Sequence, residues 1–241
     1  MVSKNQIKLI NSLQQKKYRK LHHLFVAEGK KVIQELIEAQ FTLEYLFVTK
    51  TNLFETNPLR LLISDNELKK ITALTTANDC LAVFKIKEFN TTKTSELVLA
   101  LDNIKDPGNM GTIIRLCDWF GISKMVCSEE TVDVYNPKVV QATMGSLARV
   151  QIEYTHLATY LKRTDLEIFG TYMDGKNMYK TKLPSKGIIV MGNEANGISP
   201  EIEQLVTQKI AIPRFGDLQQ TESLNVATAT AIILSEFKRN E

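Results

Sequence analysis

The apolar positions change their spacing part-way along the chain. Up to residue 88 they come in short, separated groups. Ile7, Ile10 and Leu13 fall on one helical stripe, and Val32, Ile33, Leu36 and Ile37 fall on another. Residues 43–49 (LEYLFVT), 60–64 (RLLIS) and 80–86 (CLAVFKI) read as short strands. Ser64 and Glu67 have the S-x-x-E spacing of a capping box, which predicts a helix start. From residue 97 onward strands and helices alternate. The predicted strands are 97–102 (LVLALD), 124–127 (KMVC), 166–173 (LEIFGTYM), 187–192 (GIIVMG) and 209–213 (KIAIP). Helices are predicted from the Gly108-Asn109 turn through Phe120, from Asn136-Pro137 to about Met144, after Ser199-Pro200, and from about Leu224 to Lys238. Strands 166–173 and 187–192 are too apolar to keep one face wet, so the pattern predicts an α/β fold whose parallel sheet is covered on both sides. Residues 87–96 (KEFNTTKTSE) break every periodicity and read as a linker. The expected division is therefore 1–88, a linker over 89–96, and 97–241.

Charge adds a second contrast between the two parts. The 241 residues carry a net charge of only +3, yet residues 1–31 hold eight Lys or Arg against one acid, Glu28. Such a patch beside a balanced body suggests a polyanionic partner, against the plainer reading of a solvated helix face. Lys16, Lys17, Arg19, Lys20 and Lys30 are the candidate contacts. Cys80, Cys117 and Cys127 form no C-x-x-C pair and are expected to be free thiols. His22, His23 and His156 lack ligand-like spacing, so no metal is expected; the His22-His23 pair could touch nucleic acid. No window has the roughly 18 apolar residues of a membrane span, and the N-terminus has no apolar signal core. A cytoplasmic protein without a membrane partner is expected.

Ligands of a parallel sheet sit at the carboxyl ends of its strands, and three turns there carry the chemistry. In LDNIKDPGNMGTIIRLCDWFG (101–121), Met110, Ile113, Ile114 and Cys117 form a buried stripe, so Arg115 faces away from the core. Asn109 lies near the helix N-terminus, where free N–H groups attract anions. The pair could hold a phosphate-bearing ligand, or be a capped helix with a solvated arginine. In IIVMGNEANGISPEI (188–202), Gly192 and Gly197 allow close backbone approach or positive φ, and Glu194 is either a functional acid or a helix-dipole partner. This stretch is neither a dinucleotide fingerprint nor a P-loop, because G-x-G-x-x-G and the Lys-Ser/Thr pair are absent. In RFGDLQQTESLNVATATAIIL (214–234), a polar run meets a buried helix, with Ser223 or Asn225 as its candidate N-cap.

Taken in this order, the three turns resemble the three signature motifs of the SpoU family within the SPOUT class of RNA methyltransferases. The carriers are DPGNMGTIIRLCDWFG (106–121), IVMGNEANGIS (189–199) and IPRFGDLQQTESLNVATATAIIL (212–234), and KVVQATMGSLARV (138–150) also fits. Residues 16–39 more loosely resemble the small ribosomal-protein-like α/β domain that binds substrate in many members. Ala195 departs from the glycine usual in the second motif. The resemblance implies a 2′-O-ribose methyltransferase using S-adenosylmethionine, with a deep trefoil knot in residues 97–241 and a homodimer formed through that domain. Thr171, Gly192, Ile212 and Leu224 would bind the cofactor. Arg115 matches the family's catalytic arginine. A guanidinium stays protonated, so gripping a phosphate and stabilising the developing oxyanion suit it better than general-base work. Asn109 would orient Arg115 or the ribose. Glu194 would anchor the guanidinium or the cofactor loop, and Ser223 and Asn225 would hydrogen-bond the nucleotide and the motif turns. Trp119 is expected at an interface or in the core. Ribosomal RNA is the expected substrate, with transfer RNA as the alternative. A non-catalytic RNA-binding assembly factor and a nucleotide-dependent oxidoreductase are the rivals; the second lacks its glycine fingerprint.

Overall fold

Two sheets of different construction underlie the two hydrophobic patterns. The computed structural model describes residues 1–87, 97–215 and 223–239. The expected linker at 89–96 lies outside them, as do residues 216–222 of the third motif. The chain forms two compact units, Met1–Asn90 with Asp133–Ala148, and Thr91–Val132 with Arg149–Glu241. Residues 133–148, which the sequence pattern placed with the C-terminal part, therefore pack with the first unit.

The first unit contains α1 (Lys4–Ser12), α2 (Lys16–His22), β1 (Leu24–Glu28), α3 (Lys30–Glu38), β2 (Leu43–Val48), β3 (Arg60–Leu62), α4 (Asp65–Leu68) and β4 (Cys80–Lys85). The strand order is β1-β4-β2-β3; β4 is antiparallel to both neighbours, and β2 and β3 are parallel. Leu24 and Val26 join Ile10, Leu13, Leu81 and Val83 in one apolar cluster. Phe25 alternates to the other face and meets Phe84, Phe41 and Tyr135. The capping box at α4 is present: Ser64 Oγ accepts from Glu67 N at 3.3 Å, and Glu67 Oε2 accepts from Ser64 N at 3.0 Å. α2 and β1 were not foreseen from the sequence pattern.

The second unit's elements are β5 (Leu97–Leu101), α5 (Pro107–Trp119), β6 (Lys124–Cys127), β7 (Gln151–Tyr154), α7 (Leu157–Lys162), β8 (Ile168–Asn177), β9 (Gly187–Met191), α8 (Pro200–Glu203), β10 (Gln208–Ala211) and α9 (Val226–Phe237); α6 (Pro137–Ala142) follows β6 in the chain but belongs to the first unit. The strand order is β10-β8-β9-β5-β6-β7, with every pairing parallel. Val98, Ala100, Ile188 and Val190 pack with Leu157, Leu161 and Ile202 of α7 and α8. Phe169 points to the opposite face and meets Phe237 of α9 edge-on, and α9 packs on α5. Both faces are thus covered, as the apolar strands required. β7 and α7 were not foreseen. Strand order reverses between β5 and β9, so the crevice at their carboxyl ends is where a ligand site is expected. The first two motif turns follow those two strands.

Arg19 corrects an expectation. Its charge marked it for RNA, but the residue is only 2% exposed. Nε donates to Asp133 Oδ2 at 2.8 Å, and one terminal nitrogen donates to the carbonyls of Leu13 and Gln14 at 2.8 and 2.9 Å. With its donors turned inward, it holds residues 133–148 within the first unit. Gly145 serves the same segment. Its φ of +100° disfavours other residues, and a Cβ there would meet Glu35 Cγ at 2.7 Å.

Candidate functional site

Local capping places the first group of side chains. Asp106 is the N-cap of α5: its Oδ1 accepts from Asn109 N at 2.7 Å, with Pro107 at the first helical position. Met110, Ile113, Ile114 and Cys117 are fully buried, which fixes the helix rotation and leaves Asn109 in the first turn beside the strand ends. At the third motif, Asn225 rather than Ser223 is the N-cap of α9. Its Oδ1 accepts from Ala227 N at 3.0 Å and Thr228 N at 3.2 Å.

The second motif is held from β5. Asp102, 5% exposed, accepts from Ser199 N at 2.7 Å. Asn193 Nδ2 donates to Asn103 O at 2.7 Å, while its Oδ1 accepts from Ala195 N and Asn196 N at 3.0 and 3.1 Å. A Cβ on Gly192 would collide with the backbone of Gly197 and Ile198, so only glycine lets the turn fold back on its strand. Ala195 sits outside that contact. Asp102, Asp106 and Asn193 were missed as site residues. The signals available were an acid ending an apolar strand, an Asp three residues before Asn109, and an Asn beside a glycine turn.

One hydrogen-bonded chain then links the three turns. Asn225 Nδ2 donates to Asn109 Oδ1 at 2.9 Å, and Asn109 Nδ2 donates to Glu194 Oε1 at 3.0 Å. Its polarity follows from the helix cap. Asn225 Oδ1 is taken by two backbone N–H groups, so its amide nitrogen must face Asn109, whose own nitrogen must then face the Glu194 carboxylate.

Beside this chain lies a cleft of about 1250 Å³. Thr171, Gly192, Ile212 and Leu224 all line it, together with Glu194 and Ser223. Thr171 Oγ1 donates to Val190 O at 3.1 Å, so its hydroxyl ties β8 to β9. The floor includes the buried Met178, Met191 and Ile210, and the rim carries Asp174, Lys209 and Arg214. An apolar floor with a few polar groups at the rim suits a flat heterocycle carrying charged substituents. Tyr172 also lines the cleft; burial foremost, then the nearby carboxylates of Glu203, Asp174 and Asp102, push its phenol up to about 12. Its buried hydroxyl has no hydrogen-bond partner among the described residues.

Arg115 is not brought to this cleft. It is exposed on α5, does not line the cavity, and makes no ion pair or hydrogen bond among the described residues. Trp119, one turn further, is 84% exposed, which rules out the core. In the first unit, Lys16, Lys17, Lys20 and Lys30 are exposed, and Lys17 Nζ lies 4.7 Å over the Tyr18 ring. His22 stacks on the same ring at 6.3 Å, and His156 caps α7. All three cysteines are free and buried.

Residues 96–235 match the model of a family described as the SpoU rRNA Methylase family. The chain belongs to that family. Residues 4–82 match a second model, the MRM3-like substrate binding domain. A relative from Bacillus subtilis, named 23S rRNA (guanosine(2553)-2′-O)-methyltransferase RlmP, is 28% identical over 98% of this chain and 97% of its own. Another from Aquifex aeolicus, named tRNA (guanosine(18)-2′-O)-methyltransferase, is 29% identical over 64% of this chain and 74% of its own. Among solved structures, a protein of the TrmH family from Porphyromonas gingivalis has a TM-score of 0.90 at 36% identity, over 100% of both chains. An rRNA methyltransferase from Sinorhizobium meliloti with AdoMet bound has a TM-score of 0.86 at 27% identity, over 100% of this chain and 97% of its own. The matched range 96–235 contains all three turns that the hydrogen-bonded chain links.

Proposed function

We propose that this SpoU-family protein methylates a ribose 2′-hydroxyl in ribosomal RNA, with S-adenosylmethionine as the donor. The observation that carries the reading is the Glu194–Asn109–Asn225 chain beside a cleft lined by Thr171, Gly192, Ile212 and Leu224. When bound, S-adenosylmethionine supplies an electrophilic methyl group on a sulfonium. The protein's part is orientation, worth up to about 7–11 kcal/mol, and stabilisation of charge on the attacking oxygen. Gly192 and Ile212 present backbone to the donor over the apolar floor. Glu194 has one oxygen fixed by Asn109, leaving the other for a cationic group. Ser223, at the cleft wall, hydrogen-bonds the nucleotide.

Arg115 grips the phosphate beside the target ribose and steadies the developing oxyanion. Since it does not line the cleft of its own chain, we infer that it completes the cleft of a second copy in a homodimer. We also infer that the C-terminal segment threads the family's trefoil knot; the meeting of turns from β8, β9 and β10 in one cleft supports this. Ribosomal RNA is favoured over transfer RNA because the relative matched along its whole length is named for ribosomal RNA. The cytoplasm is the proposed compartment, and among the described residues no helix is long and apolar enough to cross a membrane.

Arg115→Ala should abolish methyl transfer while leaving S-adenosylmethionine affinity within about twofold, measured by tritium transfer and calorimetry. Unchanged turnover would remove Arg115 from the mechanism. Reversing Lys16, Lys17 and Lys20 to Glu should lower the salt slope of RNA binding by about one for each lost phosphate contact; an unchanged slope would make them a solvated face. Mapping ribose methylation in total RNA from a deletion strain identifies the substrate, and cofactor binding without transfer to any RNA would favour an assembly factor.

A further inference from the structure

One exposed face of the second unit carries chemistry that the residues assigned above leave unused. Beyond β8 the chain presents Tyr179, 40% exposed, and beyond β10 it presents Phe215, 82% exposed. Their rings stack with centroids 6.4 Å apart and planes at 30°. The pair adjoins the cleft: Tyr179 follows Met178 of its floor in the chain, and Phe215 follows Arg214 of its rim. Between residues 174 and 186, Lys176, Lys180, Lys182 and Lys186 face a single acid, Asp174, and all four lysines are exposed.

Two aromatic rings left in water beside a ligand cleft, among cations, match how single-stranded RNA is held. Unpaired bases stack on aromatic faces, and lysines follow the phosphates. A second copy of this chain suits the face less well, since a symmetric contact would bring two lysine-rich segments together. We propose that Tyr179 and Phe215 form a stacking platform for one unpaired nucleobase of the RNA, with Lys176, Lys180 and Lys182 along its phosphates. The inference rests on the RNA methyltransferase reading and adds where the strand lies beside the donor.

The test uses the full-length protein and a short single-stranded oligoribonucleotide carrying 2-aminopurine, whose fluorescence is quenched on stacking. The wild-type protein should quench it. Phe215→Ala and Tyr179→Ala should each weaken binding roughly tenfold or more and remove the quench. Phe215→Trp should restore both. S-adenosylmethionine affinity and sedimentation should stay as in wild type, which also reports that the variants are folded. Wild-type affinity and quenching in both alanine variants would overturn the platform, and so would a change of oligomeric state in them, which would make the face a contact between copies. If wild type methylates RNA and the alanine variants do so at the same RNA KM, the platform fails and the methyltransferase reading stands. If wild type neither binds S-adenosylmethionine nor transfers methyl, that reading fails, and quenching alone judges the platform.

Discussion

Buried polar groups do different work in the two units. In the first, Arg19 meets Asp133 and two carbonyls, and Glu28 takes Thr72 Oγ1 and Ala73 N. Each partnership closes on itself, and its product is the fold. In the second, Asp102, Asn193 and Asn225 also satisfy backbone groups, yet all three stand at turns that follow strands or precede a helix. Buried polar atoms without a partner occur in both units, and one of those in the second, the Tyr172 hydroxyl, belongs to a residue that lines the cleft. Strand direction differs too. β1, β2 and β3 run one way and only β4 runs against them, so the first sheet divides its turns between two ends. Parallel strands send every following turn to one end, so β5, β8, β9 and β10 concentrate theirs.

Arg19→Ala would leave Asp133, 14% exposed at its side chain, as a buried unpaired charge. The expected loss is about 3–5 kcal/mol in urea unfolding of the whole chain. Removing both charges with Arg19→Met and Asp133→Leu should recover most of it. A loss under about 1 kcal/mol would show that the pair is dispensable to the fold.

A smaller effect separates cap from site in the second unit. Asn225→Asp keeps the oxygen that caps α9 and loses the nitrogen that orders Asn109 and Glu194. Stability should change by less than about 0.5 kcal/mol, while turnover falls roughly ten- to hundredfold. If stability falls and turnover holds, Asn225 is only a cap.

The smallest expected effect is a pH slope from the first unit. Burial foremost raises the Glu28 carboxyl above its usual 4.5, against the lowering influence of the Thr72 and Ala73 hydrogen bonds. Its folded form therefore binds a proton more tightly than its unfolded form. The stability it contributes is full below 4.5 and is lost as pH rises through the folded value. Glu28→Gln should flatten the unfolding free energy across that window. An unchanged slope would place the titration elsewhere.

What the sequence revealed divides along the same line. The strands β5, β9 and β10 were legible because uninterrupted apolar runs have few alternatives, and the caps at Ser64 and Asn136 were legible because their partners lie within three residues. β1 was missed although all five of its residues are buried, since it is short and follows a lysine-rich run. Arg19 looked exposed because nothing nearby in sequence could bury it; Asp133 lies 114 positions away. In the candidate site, residue types at strand ends were legible, and so was the outward direction of Arg115. The order of bonding among Asn225, Asn109 and Glu194 was not, because it depends on which amide oxygen a helix terminus consumes.

The allegiance of residues 133–148 bears on how the protein can be taken apart. A fragment ending near residue 90 would lack α6, the Tyr135 ring against Phe25, and the counter-ion of Arg19. The N-terminal unit is thus no detachable cassette. Grafting it onto another member of the family would require carrying this later helix along, with three junctions to repair instead of one.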